Sequence, residues 1–323
     1  MSAELPSALR AAIDRELAGA SRRDLAERTA ATTAAYRAGR TSAAAIKGRE
    51  DALAYALARL PATYAATATV LAEVQRMAPG FAPASLLDAG SGPGGGSWAA
   101  AEAWPALARI AWLDASAPFL DLAARLAAEG PDALQQAETQ RGDLTAGSFP
   151  RAELVLASYA LAEIAPGAQA QVAESLWEAC EGVLALVEPG TPAGYARILA
   201  ARDGLIAAGA RILAPCPHQA ACPLTAPDWC HFSVRLSRSR DHRLAKGAEV
   251  NFEDEKFAYL LAARPHILAE APSPRVLYRP KVGKPGIDLK LCTEAGALEH
   301  RFVARRDKPA YAGARRLDWG DAL

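Results

Sequence analysis

The stretch Leu86-Leu87-Asp88-Ala89-Gly90-Ser91-Gly92-Pro93-Gly94-Gly95-Gly96 decides how the rest of the chain is read. Within eleven residues it joins an apolar strand signal, glycines at alternate positions and a helix start. Such glycines let the backbone turn sharply and come close to a ligand, while the free N–H groups of the next helix's first turn point at negative charge. The loop suits a nucleotide-like ligand carrying a carboxylate or phosphate.

Gly90, Gly92 and Gly95 satisfy G-x-G-x-x-G, the dinucleotide fingerprint, which taken alone is a weak signal. The frame Asp88-x-Gly90-x-Gly92-x-Gly94, with an acid at the strand's end and a proline inside the loop, resembles motif I of class I methyltransferases. That resemblance implies S-adenosylmethionine as cofactor, with Asp88, Gly90, Gly92 and Gly94 around it. From Ser85 onward strand signals alternate with helical ones, which predicts a parallel sheet with right-handed crossovers. Arg109–Asp114 reads as a buried strand ending in an acid, 24 residues beyond Gly90. Asp114 can there accept hydrogen bonds from both ribose hydroxyls, or simply cap the next helix, a task Ser116 could equally perform. Arg141-Gly142-Asp143-Leu144 resembles the methyltransferase motif whose acid and neighbouring backbone touch the adenine. Leu154 to Tyr159 and Gly182 to Gly190 read as the fourth and fifth strands, both ending at the carboxyl edge where open α/β sheets place ligands, and Ser158 joins the cofactor set there.

Catalytic residues are not evident. Enzymes that methylate exocyclic base nitrogens carry an Asp/Asn-Pro-Pro-aromatic tetrad after the fourth strand, where this chain has Ser158-Tyr159-Ala160-Leu161. No cysteine nucleophile stands there for pyrimidine carbon chemistry either. Tyr159, Glu163 and Glu188 are the nearby candidates for proton acceptance. A methyltransferase acting chiefly by orientation stays open beside a non-catalytic role, with a nicotinamide oxidoreductase as a more distant reading.

With 323 residues, 51% of them hydrophobic, the chain can fill one large core or two modest ones. No uncharged apolar run of about 18 residues occurs. Glu4, Arg10, Asp14, Arg15 and Glu16 stand where a secretory signal would need an apolar core, so a cytoplasmic protein without a membrane partner is expected. Residues 1–80 read as a helical region. Ser21-x-x-Asp24 looks like a capping box opening a helix to Gly39, Leu53, Leu57 and Leu60 share a helical face interrupted by Pro61, and Ala62 to Met77 follows. Tyr64 on that last segment is placed over the cofactor pocket. Residues 81–210 form the expected cofactor-binding core, and residues 211–323 a metal-binding and basic region completing the sheet. The fold class expected is α/β, a Rossmann-like class I methyltransferase sheet with an N-terminal helical cap and a partly β C-terminal extension.

Four of the five cysteines lie after residue 210. Cys180, near the fifth strand, reads as a small buried hydrophobe. Cys216, Cys222 and Cys230 fall in a segment punctuated by Pro215, Pro217, Pro223 and Pro227, which forbids a regular helix or central strand and frees the thiols to converge. With Cys292 they make four thiolates, a set suited to tetrahedral zinc or to a [4Fe-4S] cluster. Zinc ribbons favour paired C-x-x-C knuckles, whereas the spacings here are C-x5-C and C-x7-C. His218, His231 and His242 are spare nitrogen donors.

The glycine loop, this cysteine pattern, the run Trp229-Cys230-His231-Phe232-Ser233-Val234-Arg235-Leu236-Ser237-Arg238 and the ending from Arg305-Arg306-Asp307-Lys308 to Trp319-Gly320-Asp321 together resemble the methyltransferase-like family that assists assembly of the mitochondrial ribosomal small subunit, with relatives in bacteria. The likeness runs from about residue 50. It implies S-adenosylmethionine binding, a [4Fe-4S] cluster (zinc being the alternative) on Cys216, Cys222, Cys230 and Cys292, and binding to small-subunit ribosomal RNA. The charge pattern is consistent with that partner. Between His231 and Leu323 stand 18 Lys/Arg against 12 Asp/Glu, an excess balanced by negative charge on the rest of a neutral chain. Arg235, Arg238, Arg240, Arg243 and Lys246 form one basic group; Arg305, Arg306 and Lys308, with Arg301, Arg315, Arg316 and Tyr311, form another. Small-subunit RNA is therefore the expected partner, and DNA is not. Arg275 to Lys281, Ile287 to Cys292 and Leu298 to Arg305 read as strands of undecided pairing that supply the fourth thiol.

Overall fold

The computed structural model describes residues 4–37 and 41–323. Its N-terminal part is helical: α1 (Ser7–Glu16), α2 (Arg22–Arg37), α3 (Ser42–Ala45), α4 (Arg49–Ala58) and α5 (Leu60–Met77). At the start of α2 the Asp24 N–H donates to Ser21 Oγ at 3.3 Å, one half of a capping box. The expected end at Gly39 lies outside the described residues. Pro61, read as an interruption, sits in the first turn of α5, where its missing N–H had no helical acceptor to lose. Ala62, Ala65, Ala66 and Ala68 are fully buried on α5, and their small side chains let it lie against the next helix and across the sheet.

The main sheet is built by β1 (Ser85–Ala89), α6 (Gly95–Ala103), β2 (Arg109–Asp114), α7 (Ala117–Ala127), α8 (Asp132–Gln135), β3 (Glu138–Arg141), β4 (Ala152–Ser158), α9 (Gln169–Ala179), β5 (Cys180–Pro189), α10 (Pro192–Ala207), β6 (Arg211–Ala214), β7 (Phe232–Ser237), α11 (Arg240–Lys246) and β8 (Phe252–Ala263). Its order is β3-β2-β1-β4-β5-β8-β6, with β7 also on β8. The first five strands run parallel, and β8 runs antiparallel to β5, β6 and β7. β8 carries no clear strand signal in the sequence. Its first half, Glu253-Asp254-Glu255-Lys256, carries charge like a surface loop, while its second half is buried like a central strand, so neither the alternating nor the continuous pattern holds throughout.

The length of β8 leaves room for the cysteine segment. On its outer side β7 pairs only as far as Phe257, and β6 begins to pair at Leu261. Ala258, Tyr259 and Leu260 therefore have no strand beside them there. The segment from Pro215 to His231, which carries three of the cysteines, leaves the sheet at Ala214 and returns at Phe232, closing that gap.

A second, antiparallel sheet is formed by β9 (Arg275–Val276), β10 (Lys281–Val282), β11 (Gly286–Cys292) and β12 (Leu298–Ala304), followed by α12 (Lys308–Ala314). One face buries Val276, Ile287, Leu289 and Leu291 against Tyr311, Ala314 and Leu317. The opposite face carries Cys292, paired with Arg275 on β9 and Leu298 on β12. No helix among the described residues is long and apolar enough to cross a membrane.

The turn from β5 into α10 is a tight joint. Thr191 Oγ1 accepts the Gly194 N–H at 3.1 Å, and a Cβ on Gly194 would lie 1.9 Å from the Pro189 carbonyl oxygen. Gly194→Ala is therefore expected to cost about 3 kcal/mol, against about 1 kcal/mol for Thr191→Ala. Urea unfolding of the two variants checks the ranking.

Candidate cofactor and metal sites

The glycine loop lies at the carboxyl edge between β1 and α6. Gly90, Gly92 and Gly94 all have positive φ, at 75°, 53° and 82°. The Gly90 and Ser91 N–H groups donate to the Leu113 carbonyl, tying the loop to the end of β2. A Cβ on Gly90 would lie 2.6 Å from that of Ala160, so the loop passes directly under the end of β4. Around Gly92 there is more space: an added Cβ would meet only Phe119, at 4.0 Å.

Asp114 stands beside this loop. Its Oδ2 accepts the Gly92 N–H at 2.8 Å and its Oδ1 the Ser116 N–H at 2.7 Å. Burial raises its pKa while the two amides oppose the shift. Each oxygen keeps further acceptor capacity, which fits a pair of ribose hydroxyls. Leu144 is buried beside Gly90. Asp143 is exposed and folds back on its own turn, its Oδ1 accepting both the Thr145 N–H and Oγ–H at 2.8 Å. Ser158 Oγ bonds Thr67 Oγ1 of α5 at 2.8 Å.

Asp88 faces the other way. It is 1% exposed and accepts the Ser97 Oγ–H at 2.6 Å; Ser97 Oγ in turn accepts the Trp112 Nε1–H at 2.9 Å. It holds the first turn of α6 onto β1 and β2 and does not line the open side of the loop. Burial pushes its pKa up to about 6, against hydrogen bonds from Ser97. A carboxyl whose folded pKa lies above its unfolded value of about 3.9 contributes stability below that lower value and loses it as pH rises through the folded one. Asp88→Asn cannot ionise, so its stability relative to wild type is expected to improve by about 2 kcal/mol between pH 4 and pH 8. A pH-independent difference in denaturant unfolding would refute the buried-acid assignment.

The candidate proton acceptors are all engaged. Tyr159 has φ of 60°, a strained value for a bulky residue, and its hydroxyl donates to Glu255 at 2.8 Å. Glu255 also pairs with Arg59 at 3.3 Å. Glu163 accepts the Ser42 N–H and Oγ–H from α3, which closes the N-terminal helices onto this edge. Glu188, 1% exposed, pairs with Arg197 at 2.5 Å and accepts the Ala162 N–H, yet burial still pushes it up to about 7. Tyr64 lies elsewhere: it is buried on α5, and the charge that acts on it is Glu102 of α6. The aromatic at the edge is Tyr55, packed edge-on against Phe119 at 4.9 Å, with its pKa pushed up to about 12 chiefly by burial. Nothing in the spacing of Tyr55, Arg59 or Glu255 distinguishes them in the sequence.

The structure brings Cys216, Cys222, Cys230 and Cys292 to one cavity, beside the unpaired stretch of β8. Burial raises Cys230 well above its ordinary value, and Cys216, Cys222 and Cys292 each add repulsion. Cys292 is pushed up to about 12, first by burial and then by Cys216 and Cys222. Tyr195 of α10 touches Cys222 Sγ at 3.2 Å, and His218 Nε2 lies 3.3 Å from Cys292 Sγ. Cys180 lies apart, buried in the core beneath the sheet. Two buried guanidinium groups flank the cavity. Arg202 donates to the His218 and Ala220 carbonyls at 3.1 and 2.6 Å; Arg275 donates to the Pro215 and Gly320 carbonyls and pairs with Glu73 at 3.0 Å. Neither arginine stands in a motif.

Among the described residues no three His, Cys, Asp or Glu side chains stand as a site for a single metal ion. One zinc would draw four sulfurs to about 3.8 Å of one another, given its bond length. A cubane gives each iron its own thiolate, so the sulfurs stand farther apart. The four soft thiols lining one cavity, beside fixed positive charge, are donors of a type that suits either centre.

Of the first basic group, Arg235 pairs with both oxygens of Asp254 at 2.7 Å, while Arg238 and Lys246 pair with Glu253. Arg235 is thus compensated, while Arg238 and Lys246 share one carboxylate. Arg240 is exposed and Arg243 half-buried. Arg305 is exposed with its guanidinium 5.9 Å from the Tyr311 ring; Arg306 and Lys308 are exposed and form no ion pair among the described residues.

The parallel sheet with one antiparallel strand inserted before its edge, and the glycine loop at its carboxyl end, define a methyltransferase-like α/β protein. A family model described as mitochondrial small ribosomal subunit Rsm22 matches residues 49–323, and the chain belongs to that family. It is 28% identical over 288 residues to the human mitochondrial ribosome assembly protein METTL17, covering 84% of this chain and 62% of that protein. The chain thus spans less than two thirds of the length of that relative. Among solved structures it is similar to magnesium protoporphyrin IX methyltransferase from Synechocystis PCC 6803 with bound SAH (16% identity, TM-score 0.43, 63% of this chain and 83% of that one) and to a putative RNA methyltransferase from Pyrococcus horikoshii (10%, 0.41, 62% and 84%). The family resemblance read from the sequence therefore holds. The expectation of a cytoplasmic protein is corrected: the family and the human relative are both described as mitochondrial. Composition and overall charge carry no address for a compartment, so they give no basis for choosing one.

Proposed function

We propose that this chain is an S-adenosylmethionine- and [4Fe-4S]-binding protein that binds small-subunit ribosomal RNA and assists assembly of the small ribosomal subunit. The observation that carries this reading is the meeting of four thiols, three from the loop on the main sheet's edge and one from β11, in a single cavity. Cys216, Cys222, Cys230 and Cys292 would hold the cluster, which would cross-link the second sheet to the first. Arg202 and Arg275 would offset the negative charge of the thiolates while fixing the loop that carries them. The positive-φ loop and Asp114 support a nucleoside ligand at the carboxyl edge. Exposed Arg305, Arg306 and Lys308 support phosphate contacts.

The engagement of Tyr159, Glu163 and Glu188 in internal bonds favours an assembly role over methyl transfer. Anaerobically purified protein is expected to be brown and to contain iron and acid-labile sulfide. Colourless protein with zinc, or without metal, would overturn the cluster. Incubation with labelled donor and immature small subunits is expected to show donor binding without transfer of label. Label on RNA or protein would establish an active methyltransferase instead.

A further inference from the structure

Trp229 and His231, which flank Cys230, begin a line of aromatic rings that no strand or helix pattern accounts for. Trp229 stacks on His231 with centroids 4.9 Å apart and planes 16° from parallel. His231 meets Trp319 edge-on at 4.6 Å, and Trp319 lies against Tyr278 at 5.7 Å and 33°. Four rings from three separate segments thus run from the cysteine cavity to the surface, where Tyr278 is 53% exposed. The line is held from beneath. Trp229 Nε1–H donates to the Gly190 carbonyl at 3.1 Å, Gly320 packs on Phe232, and buried Arg275 binds the Gly320 carbonyl at 2.7 Å.

Cations outnumber unpaired acids along this line. Lys256 on β8 acts electrostatically on His231, and Arg279 follows Tyr278 directly. Lys256 and Arg279, both exposed, make no direct ion pair among the described residues, and Arg279 acts on Asp254 only at longer range. Two neighbouring acids are paired, Asp254 with Arg235 and Asp228 with Lys290; the Asp318 and Asp321 carboxylates keep their charge and each accept a backbone N–H of the C-terminal turn. A half-exposed row of flat rings edged by unpaired cations matches unstacked bases on a phosphate chain. A duplex, whose base faces are covered, does not offer that surface.

We propose that Trp229, His231, Trp319 and Tyr278, with Lys256 and Arg279, form a stacking platform for single-stranded RNA whose inner end is set by Cys230. This rests on the RNA-binding function proposed for the chain and gives it a location. The platform is separate from the first basic group, in which Arg235, Arg238 and Lys246 are paired with carboxylates.

The test uses the full chain purified without oxygen and fluorescently labelled single-stranded fragments of small-subunit ribosomal RNA, followed by anisotropy. Tyr278→Ala removes an exposed ring and leaves the core intact; it is expected to weaken binding on the order of tenfold, with Tyr278→Phe close to wild type. Arg279→Ala is expected to weaken binding and reduce its salt dependence. Wild-type binding unchanged by Tyr278→Ala, or equal competition by a duplex of the same sequence, would overturn the platform alone. Wild-type protein that binds no fragment would overturn the RNA-binding reading and the platform with it.

Discussion

Cys292→Ser is expected to remove the iron of the proposed cluster and, with it, the attachment of the second sheet to the first. Cys292 is the one thiol of the four that comes from β11, 62 residues beyond Cys230, and it is 7% exposed at the junction. The small core behind β11 consists of a few side chains, Val276, Ile287, Leu289, Leu291 and Ala314 among the buried ones. Such a core contributes little by itself. A structural metal centre supplies binding free energy on the order of 10 kcal/mol that is also folding free energy. Losing it is expected to raise hydrogen exchange across residues 275–304 to that of a locally open segment and to weaken RNA binding at least tenfold. Cys180→Ala is the control, because Cys180 is buried at the start of β5 and takes no part in the cavity. Iron retained in Cys292→Ser, or lost equally in Cys180→Ala, would sink the assignment.

Gly90→Ala is expected to abolish donor binding. Gly90 has φ of 75°, where an L side chain is strained, and its Cβ would lie 2.6 Å from the Ala160 side chain and 3.7 Å from its Cα. Strain of about 1–3 kcal/mol and overpacking of similar size add to roughly 2–6 kcal/mol. The loop can escape only by withdrawing from β4, which breaks the Gly92 N–H bond to Asp114 and leaves the proposed ribose acceptor unfixed. Calorimetric titration with S-adenosylmethionine checks this. Gly209→Ala is a matched comparison, since it shares a positive φ of 83° with open space around it. It is expected to lose stability and keep the donor. Donor affinity preserved in Gly90→Ala would show that the ligand does not use this loop.

The local chemistry was legible where a residue's meaning depends on its near neighbours. Alternate glycines after an apolar strand, prolines that break up the cysteine segment, and acids at strand ends all act over a few residues, and each stands in a structure of the expected kind. Asp88 shows the limit of such reading. Its place at the strand's end suggested a ligand contact, but Gly96 lets α6 come so close that the carboxyl is taken up by Ser97. The basic cluster from Arg235 to Lys246 is a second case. Glu253 and Asp254 stand on β8, and only the antiparallel pairing of β7 with β8 sets them against those cations.

By itself the order of residues determined the alternation of strands and helices, the glycine turn and the number of thiols available, because these depend on backbone sterics and on side-chain type. Tertiary structure alone decided which charges remain free, which acid faces the loop, and that a thiol on β11 meets three on a distant loop. Those outcomes depend on contacts between segments far apart in the chain, and β8, whose mixed pattern hid it, is the strand that brings the segments together.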